Sequence, residues 1–213
     1  MAISYNPRTI TDGLVLVLDA GNTKSYPGSG TTLTDLSGNG YNGTISGTVS
    51  YSSSNAGYLY ADPGNYIDIP INLGGAQPHT IFTIAGYNGA NRNRITSTSS
   101  NNWLLGHWGG SNHRHYAEGW ISASSGGTTT DDWGIYACTG NQSTDVWQYY
   151  ENGSLINNNS GGSNGPTSIR IGGIGGGETS NWKWSMLLAY NRVLTAAEIQ
   201  QNYNALKSRF GLP

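Results

Sequence analysis

Only one stretch of this chain, residues 195–210, repeats its apolar residues at helical spacing; elsewhere the apolar runs are short and end in Gly, Asn, Ser or Pro. That pattern leaves room for many strands and one helix. Leu14–Leu18 (LVLVL) is a continuous branched run ending at Asp19, read as a strand covered on both faces. Thr80–Tyr87 (TIFTIAGY) is β-branched and aromatic throughout. Tyr66-Ile-Asp-Ile-Pro70 alternates and stops at proline. Further strands are expected at Asn102–Gly106, His115–Ser122, Gly134–Thr139, Val146–Glu151, Leu155–Asn157, Ser168–Gly172 and Trp184–Tyr190. Asn152-Gly153 favours the left-handed angles of a type I′ turn and predicts a tight hairpin. With 32 glycines and only 10% charged residues, the composition suits short strands joined by tight turns. No repeat of fixed period appears, which disfavours solenoids and propellers. The expected fold is all-β, a two-sheet antiparallel sandwich, and 213 residues suit one such domain.

The helix has its own start signal. In Thr195-Ala-Ala-Glu198 the hydroxyl and the carboxylate each satisfy a backbone N–H that the first helical turn leaves unpaired. Ile199, Tyr203, Leu206 and Phe210 then share a face, and Gly211 follows as the stop. The spacing predicts a helix over 196–209, packed on the outside of the sandwich. Residues 1–13 read as an N-terminal arm and 14–213 as the domain. The arm carries Ile3, Tyr5 and Ile10, for which a neighbouring subunit is the expected acceptor.

A net charge of −2 with no basic run argues against nucleic acid, and no apolar stretch reaches membrane length. Cys138 is the only cysteine, so no disulfide can form within the chain. Met1–Arg8 lacks the regions of a signal peptide, so synthesis in a reducing cytoplasm is expected. Asn-x-Ser/Thr sequons begin at Asn42, Asn141, Asn152 and Asn158 and are read as a by-product of composition.

Several segments, in order, carry a resemblance. They are Asp35-Leu-Ser-Gly-Asn-Gly-Tyr-Asn-Gly43, Tyr66–Pro70, Thr80–Ala85, Asp132-Trp-Gly134 with Tyr149-Tyr-Glu-Asn-Gly153, Ile169-Arg-Ile-Gly172, and Tyr190-Asn-Arg-Val-Leu-Thr-Ala-Ala-Glu-Ile199. Together they resemble the LamG-like jelly roll of the concanavalin A-like lectin/glucanase group, over roughly residues 14–200. That family usually carries an acidic residue where Met186 stands here, which removes any ligand role for the position. Residues 12–28 resemble LamG-like structural proteins of tailed phages of marine cyanobacteria. The resemblance implies a non-enzymatic virion protein (a capsid decoration, tail or fibre-associated component). It would attach to other virion proteins or symmetry copies and contact host surface glycans. A free carbohydrate-binding lectin module is the alternative, and a glycosidase comes third.

The residues themselves bear on these readings. Glycoside hydrolysis needs paired carboxylates flanking one bond, yet Glu118, Glu151, Glu178 and Glu198 are widely separated and Asp131-Asp132 are adjacent. The spacing Asp35-x-Ser37-x-Asn39-Gly40 resembles the start of a calcium loop, and Asp19 could add an oxygen. The glutamate expected to close such a loop is absent, because Ser46 stands there. An Asx-turn, in which Asp35 bonds its own backbone, is the competing reading. His113 and His115 would point the same way in an extended strand and could meet one metal, with His107 or symmetry copies completing it. Of the 7 tryptophans, Trp133 and Trp147 read as core, and Trp108, Trp182 and Trp184 as surface contacts for a sugar or a partner. Cys138 reads as a small buried residue.

Overall fold

Every expected strand forms, and short polar strands that no apolar pattern announces fill the gaps between them. The computed structural model describes residues 8–75, 77–123, 125, 127–175 and 177–213. In chain order the strands begin with β1 (Leu14–Asp19), β2 (Thr32–Leu33), β3 (Gly43–Ser46), β4 (Ser50–Ser52) and β5 (Tyr58–Ala61). There follow β6 (Tyr66–Ile69), β7 (His79–Tyr87), β8 (Thr96–Ser97), β9 (Trp103–Trp108) and β10 (Ser111–Ala117). The last are β11 (Gly134–Asn141), β12 (Val146–Glu151), β13 (Ser154–Asn159), β14 (Ile169–Ile171) and β15 (Trp182–Tyr190), before helix α1 (Ala196–Leu206).

They form two antiparallel sheets. The eight-stranded sheet runs β13-β12-β11-β7-β15-β5-β4, with β1 also on β15. The seven-stranded sheet runs β10-β9-β8-β14-β6-β3-β2. Asn152 (φ 47°) and Gly153 (φ 79°) both take the left-handed angles that the β12–β13 turn requires. Strand ends shift by a few residues throughout, and one strand shifts most. The segment expected at 115–122 ends at Ala117 because Glu118 turns left-handed (φ 55°), and Trp120 then bridges back to Tyr116.

Period-two alternation divides the central strands of the larger sheet between two layers of core. Leu16, Leu18, Ile67, Ile171, Trp103, Leu105, Tyr149 and Trp184 fill the space between the sheets. The opposite face of the larger sheet is also apolar. There Phe82, Ile84, Ile135, Met186, Leu188 and Tyr190 pack with Ile199, Tyr203, Leu206 and Phe210 of the C-terminal helical segment. The helix is therefore the third layer, and β1 is covered on both faces as its sequence requires. Its cap forms as the spacing predicts: Thr195 accepts from the Glu198 N–H, and the Glu198 side chain accepts from the Thr195 N–H. Regular helix ends at Leu206 and gives way to a 3-10 turn over Lys207–Phe210, short of the expected 209. Arg209 then clasps Asp19 through two 2.9 Å bonds, tying the chain end to β1.

The described part of the arm belongs to this third layer. Ile10 packs against the helix cluster, its N–H donates to Asn202 Oδ1 at 2.8 Å, and its carbonyl accepts from the Tyr190 hydroxyl at 3.0 Å. The acceptor for Ile10 is thus the domain itself and not a neighbour. Ile3 and Tyr5 lie outside the described residues.

Candidate functional site

The helix covers the outer face of the larger sheet; the outer face of the other is accessible around Asp68 and around Tyr116 and covered at β8 and β9, where Ser97 and Leu104 are buried. Registers on that seven-stranded sheet place one residue from every strand in a single row. Thr32 pairs with Thr44, Thr44 with Asp68, Asp68 with Arg170, Arg170 with Ser97, Ser97 with Leu104, and Leu104 with Tyr116. The neighbouring row, Ile45, Ile67, Ile171, Thr96, Leu105 and His115, is buried between the sheets. Alternation therefore directs the first row outward. Thr96 confirms the sense, because its hydroxyl lies 2.8 Å from Thr83 of the opposite sheet.

At the middle of the row Arg170 grips Asp68 through two bonds of 2.6 and 2.8 Å, and its guanidinium lies 3.8 Å from the centre of the Tyr66 ring. The carboxylate hydrogen bond raises the Arg170 pKa above its ordinary value. Strand β8 is only two residues long, and depressions open around it. One, of about 270 Å³, is lined by Thr44, Asp68, Ile69, Pro70, Ser99 and Ser168. The other, of about 440 Å³, is lined by Arg94, Thr98, Ser99, Ser100, Asn101, Asn102, Ile174 and Glu178. They adjoin at Ser99. Arg94 is buried, ion-paired with Glu178, and donates to Asn102 Oδ1 at 2.8 Å. Ser97 is wholly buried in the row, and its hydroxyl has no hydrogen-bond partner among the described residues.

Beyond Asn102 lies an aromatic group. The Asn102 N–H donates to Glu118 Oε1 at 2.7 Å, at the turn that returns Trp120 to Tyr116. Tyr116 and Trp120 pack edge-on at 5.1 Å, and Trp120 lies 5.4 Å from Trp108. All three rings are half-buried, held in place yet accessible. Trp108 was expected at a surface and is there. Tyr116, Trp120, Arg170 and Asp68 join it, although the sequence singles out none of them as a site residue. Alternation in Tyr66-Ile-Asp-Ile69 and Ile169-Arg-Ile171 does turn Asp68 and Arg170 away from the core, but only the register brings them together.

The other sequence-derived candidates are placed differently. Trp182 and Trp184 are fully buried between the sheets, not at the surface. The alternation Trp182-Lys183-Trp184 puts the two indoles on one face and the lysine on the other, where its ammonium lies 4.9 Å from the Trp133 ring. His113 and His115 do not form a metal pair. His115 is buried against Trp103 and Tyr149, with Nδ1 2.8 Å from the Leu104 carbonyl. His113 lies in a pocket of about 160 Å³ at the sandwich edge, its Nδ1 2.5 Å from Glu151 Oε2 and its Nε2 2.6 Å from Thr128. His107 is enclosed between Tyr87 and Tyr136. Among the described residues no three His, Cys, Asp or Glu side chains converge on a metal position. Cys138 is buried, and burial pushes its thiol pKa well up. Each glutamate is committed to a bond: Glu118 to the Asn102 N–H, Glu151 to His113 and Tyr149, Glu178 to Arg94, and Glu198 to Arg192 and the helix cap.

The Asp35 loop has the geometry of an Asx-turn. Asp35 is buried, and its Oδ1 accepts from the Val17 and Ser37 N–H groups at 3.0 and 2.9 Å. Its Oδ2 accepts from the Tyr41 N–H at 3.2 Å and lies 2.8 Å from the Ser37 hydroxyl. Asn39 turns its amide toward the Val15 carbonyl, and Asp19 is engaged by Arg209. Lone pairs filled by protein donors do not fit a calcium ion, which needs those oxygens for itself. Asp35→Ala strands buried backbone donors and should cost on the order of 2–3 kcal/mol. Thermal unfolding with millimolar calcium or with chelator checks this: the wild-type midpoint is expected to stay the same in both, and a calcium-dependent rise that Asp35→Ala abolishes would restore the metal reading.

No protein-family model matches the chain, and no curated protein matches it. Solved structures do. The binding domain of Paraclostridial Mosquitocidal Protein 1 superposes with a TM-score of 0.70 at 17% identity, over 94% of this chain and 55% of that one. The binding domain of botulinum neurotoxin DC, solved in complex with SialylT, gives 0.65 at 17% identity, over 92% and 52%. This chain therefore spans about half the length of those toxin domains. Domain 4 of an extracellular arabinanase from Geobacillus stearothermophilus, solved in complex with arabinotriose, gives 0.65 at 15% identity, over 89% of this chain and 98% of that domain. At these identities the likeness is one of fold: the chain is a two-sheet antiparallel jelly-roll sandwich with a C-terminal helix, the architecture in which it superposes on these domains.

Proposed function

We propose that the protein is a non-enzymatic, lectin-like module that binds glycans on the open face of its seven-stranded sheet. One observation carries the reading: the helix covers one outer face, and the other presents polar depressions that lead to the half-buried cluster Tyr116, Trp120 and Trp108. Rings of this kind offer flat apolar area at small entropic cost, while serines, threonines and asparagines around the depressions supply hydrogen bonds to hydroxyls. Sugar ligands in two of the similar domains support the choice of ligand class. Trp108→Ala should weaken oligosaccharide binding about tenfold or more, as for an interface anchor, with little change in melting temperature. Affinity electrophoresis in polysaccharide gels checks it; retained binding together with a lowered melting temperature would make Trp108 a packing residue.

The setting we propose is a virion surface, on the resemblance of residues 12–28. A specific feature favours an attachment role beside the glycan face. Strand β13 is the outermost strand of its sheet, carries no charge, and exposes Leu155 and Ile156 at 49% and 48%. Edge strands usually carry charge or cover against pairing. Co-sedimentation of the purified protein with phage particles, lost on Leu155→Lys, is the expected result for attachment to another virion protein or a symmetry copy.

A further inference from the structure

The charges on the open face narrow the class of sugar. Acidic glycans need an available cation, and the guanidiniums of this face are already held. Arg170 is bound by both oxygens of Asp68, and Arg94 by Glu178 and Asn102. Of the residues lining the two depressions, Arg94 is the one cation, against the carboxylates of Asp68 and Glu178. Glu118 adds a third carboxylate between Asn102 and the aromatic cluster. A sugar carboxylate here would meet net negative charge and could gain a guanidinium only by displacing a protein carboxylate from an ion pair. Hydroxyl groups face no such competition, and the Ser99, Ser100 and Asn102 side chains that line the depressions are exposed to meet them.

Length follows from topology. Asp68 on β6 and Tyr116 on β10 are separated by β14, β8 and β9, and because Ser97 and Leu104 are covered the accessible route between them follows the depressions at Ser99 and Asn102. Four strand spacings amount to roughly 19 Å, room for several sugar rings and too long for one. We infer that the face takes a neutral oligosaccharide chain of several units, laid along the adjoining depressions from Asp68 past Ser99 and Asn102 to the aromatic cluster, and discriminates against acidic sugars. The inference rests on the glycan reading above and specifies its ligand.

The test is isothermal titration with neutral gluco-, manno- and arabino-oligosaccharides of one to six units, alongside sialyllactose and an oligogalacturonide. Affinity is expected to rise at least about tenfold from one unit to six, and the acidic sugars to bind at least about tenfold more weakly than neutral ones of equal length. Asp68→Asn combined with Glu178→Gln keeps shape and frees both guanidiniums, so it should raise affinity for the acidic probes several-fold. Acidic sugars bound as tightly as neutral ones, or affinity independent of length, would overturn the inference while leaving the glycan reading in place. Binding of nothing in the panel would overturn the glycan reading, and this inference with it.

Discussion

The melting temperature should be flat from pH 7 to 8 and fall steeply between pH 6.5 and 4.5, because three histidines are buried without charge partners. His79, His107 and His115 lie in the interior, each against aromatic rings. Burial pushes their pKa values down, to about 4 for His79, about 3 for His107 and about 4 for His115, with the Gln77 and Leu104 carbonyls partly opposing the shift at His79 and His115. Nε2 of each has no partner, so nothing in the fold rewards a proton there. The unfolded chain takes up protons at about pH 6.5, whereas the folded chain resists until nearly 4. The neutral-histidine contribution is therefore whole above pH 6.5 and lost as the pH falls toward 4. Each group costs about 1.4 kcal/mol per pH unit in that window. Three together reach several kcal/mol by pH 4.5, a large part of a total stability of about 5–15 kcal/mol. Glu198, lowered to about 2 chiefly by its bond to Arg192, adds a separate loss only below its ordinary value of 4.5. Thermal melts across pH 4–8 measure the effect. His107→Phe removes two unpartnered nitrogens between two tyrosines; it should preserve the melting temperature at pH 7 and reduce the acid slope by about a third. An unchanged melting temperature down to pH 4.5 would contradict the burial of these rings.

Trp184→Ala should destabilise the protein by about 3–5 kcal/mol, the cost of emptying a core indole site. Trp184 is fully buried, pairs in register with Leu59 on β5 and Ala85 on β7, and belongs to the core between the sheets. Chemical denaturation measures the loss; a change under about 1 kcal/mol would return Trp184 to the surface.

That contrast shows what kind of information a sequence holds. The helix, its cap and the β12–β13 turn were legible because each depends on residues within a few positions of one another: Thr195 with Glu198, Asn152 with Gly153. Trp182 and Trp184 flank Lys183, and strand parity sends the lysine to the face opposite the indoles, which places both rings in the core. His115 misled for a related reason, since a histidine among polar neighbours can still be buried when a Trp103–Tyr149 cavity receives its ring. The open face was the least legible. Asp68, Ser97, Tyr116 and Arg170 come from four different strands, and β8 is too short to leave a pattern. Only pairing registers, set by contacts far apart in the chain, bring them into one row. The Asp35 loop shows the same limit: its spacing suits a calcium loop as well as an Asx-turn, and the Val17 and Tyr41 amides that fill the carboxylate become visible only in the fold.

A backbone amide NMR titration of the isotope-labelled protein with a bound neutral hexasaccharide locates the ligand on the molecule. Binding at the open face predicts shifts concentrated at Asp68, Ser97, Ser99, Asn102, Tyr116 and Trp120, with the helix face around Ile199 and Tyr203 unmoved. Shifts clustered instead at the His113–Glu151 pocket or along β13, with the row from Asp68 to Tyr116 unmoved, would contradict a glycan site on the seven-stranded sheet.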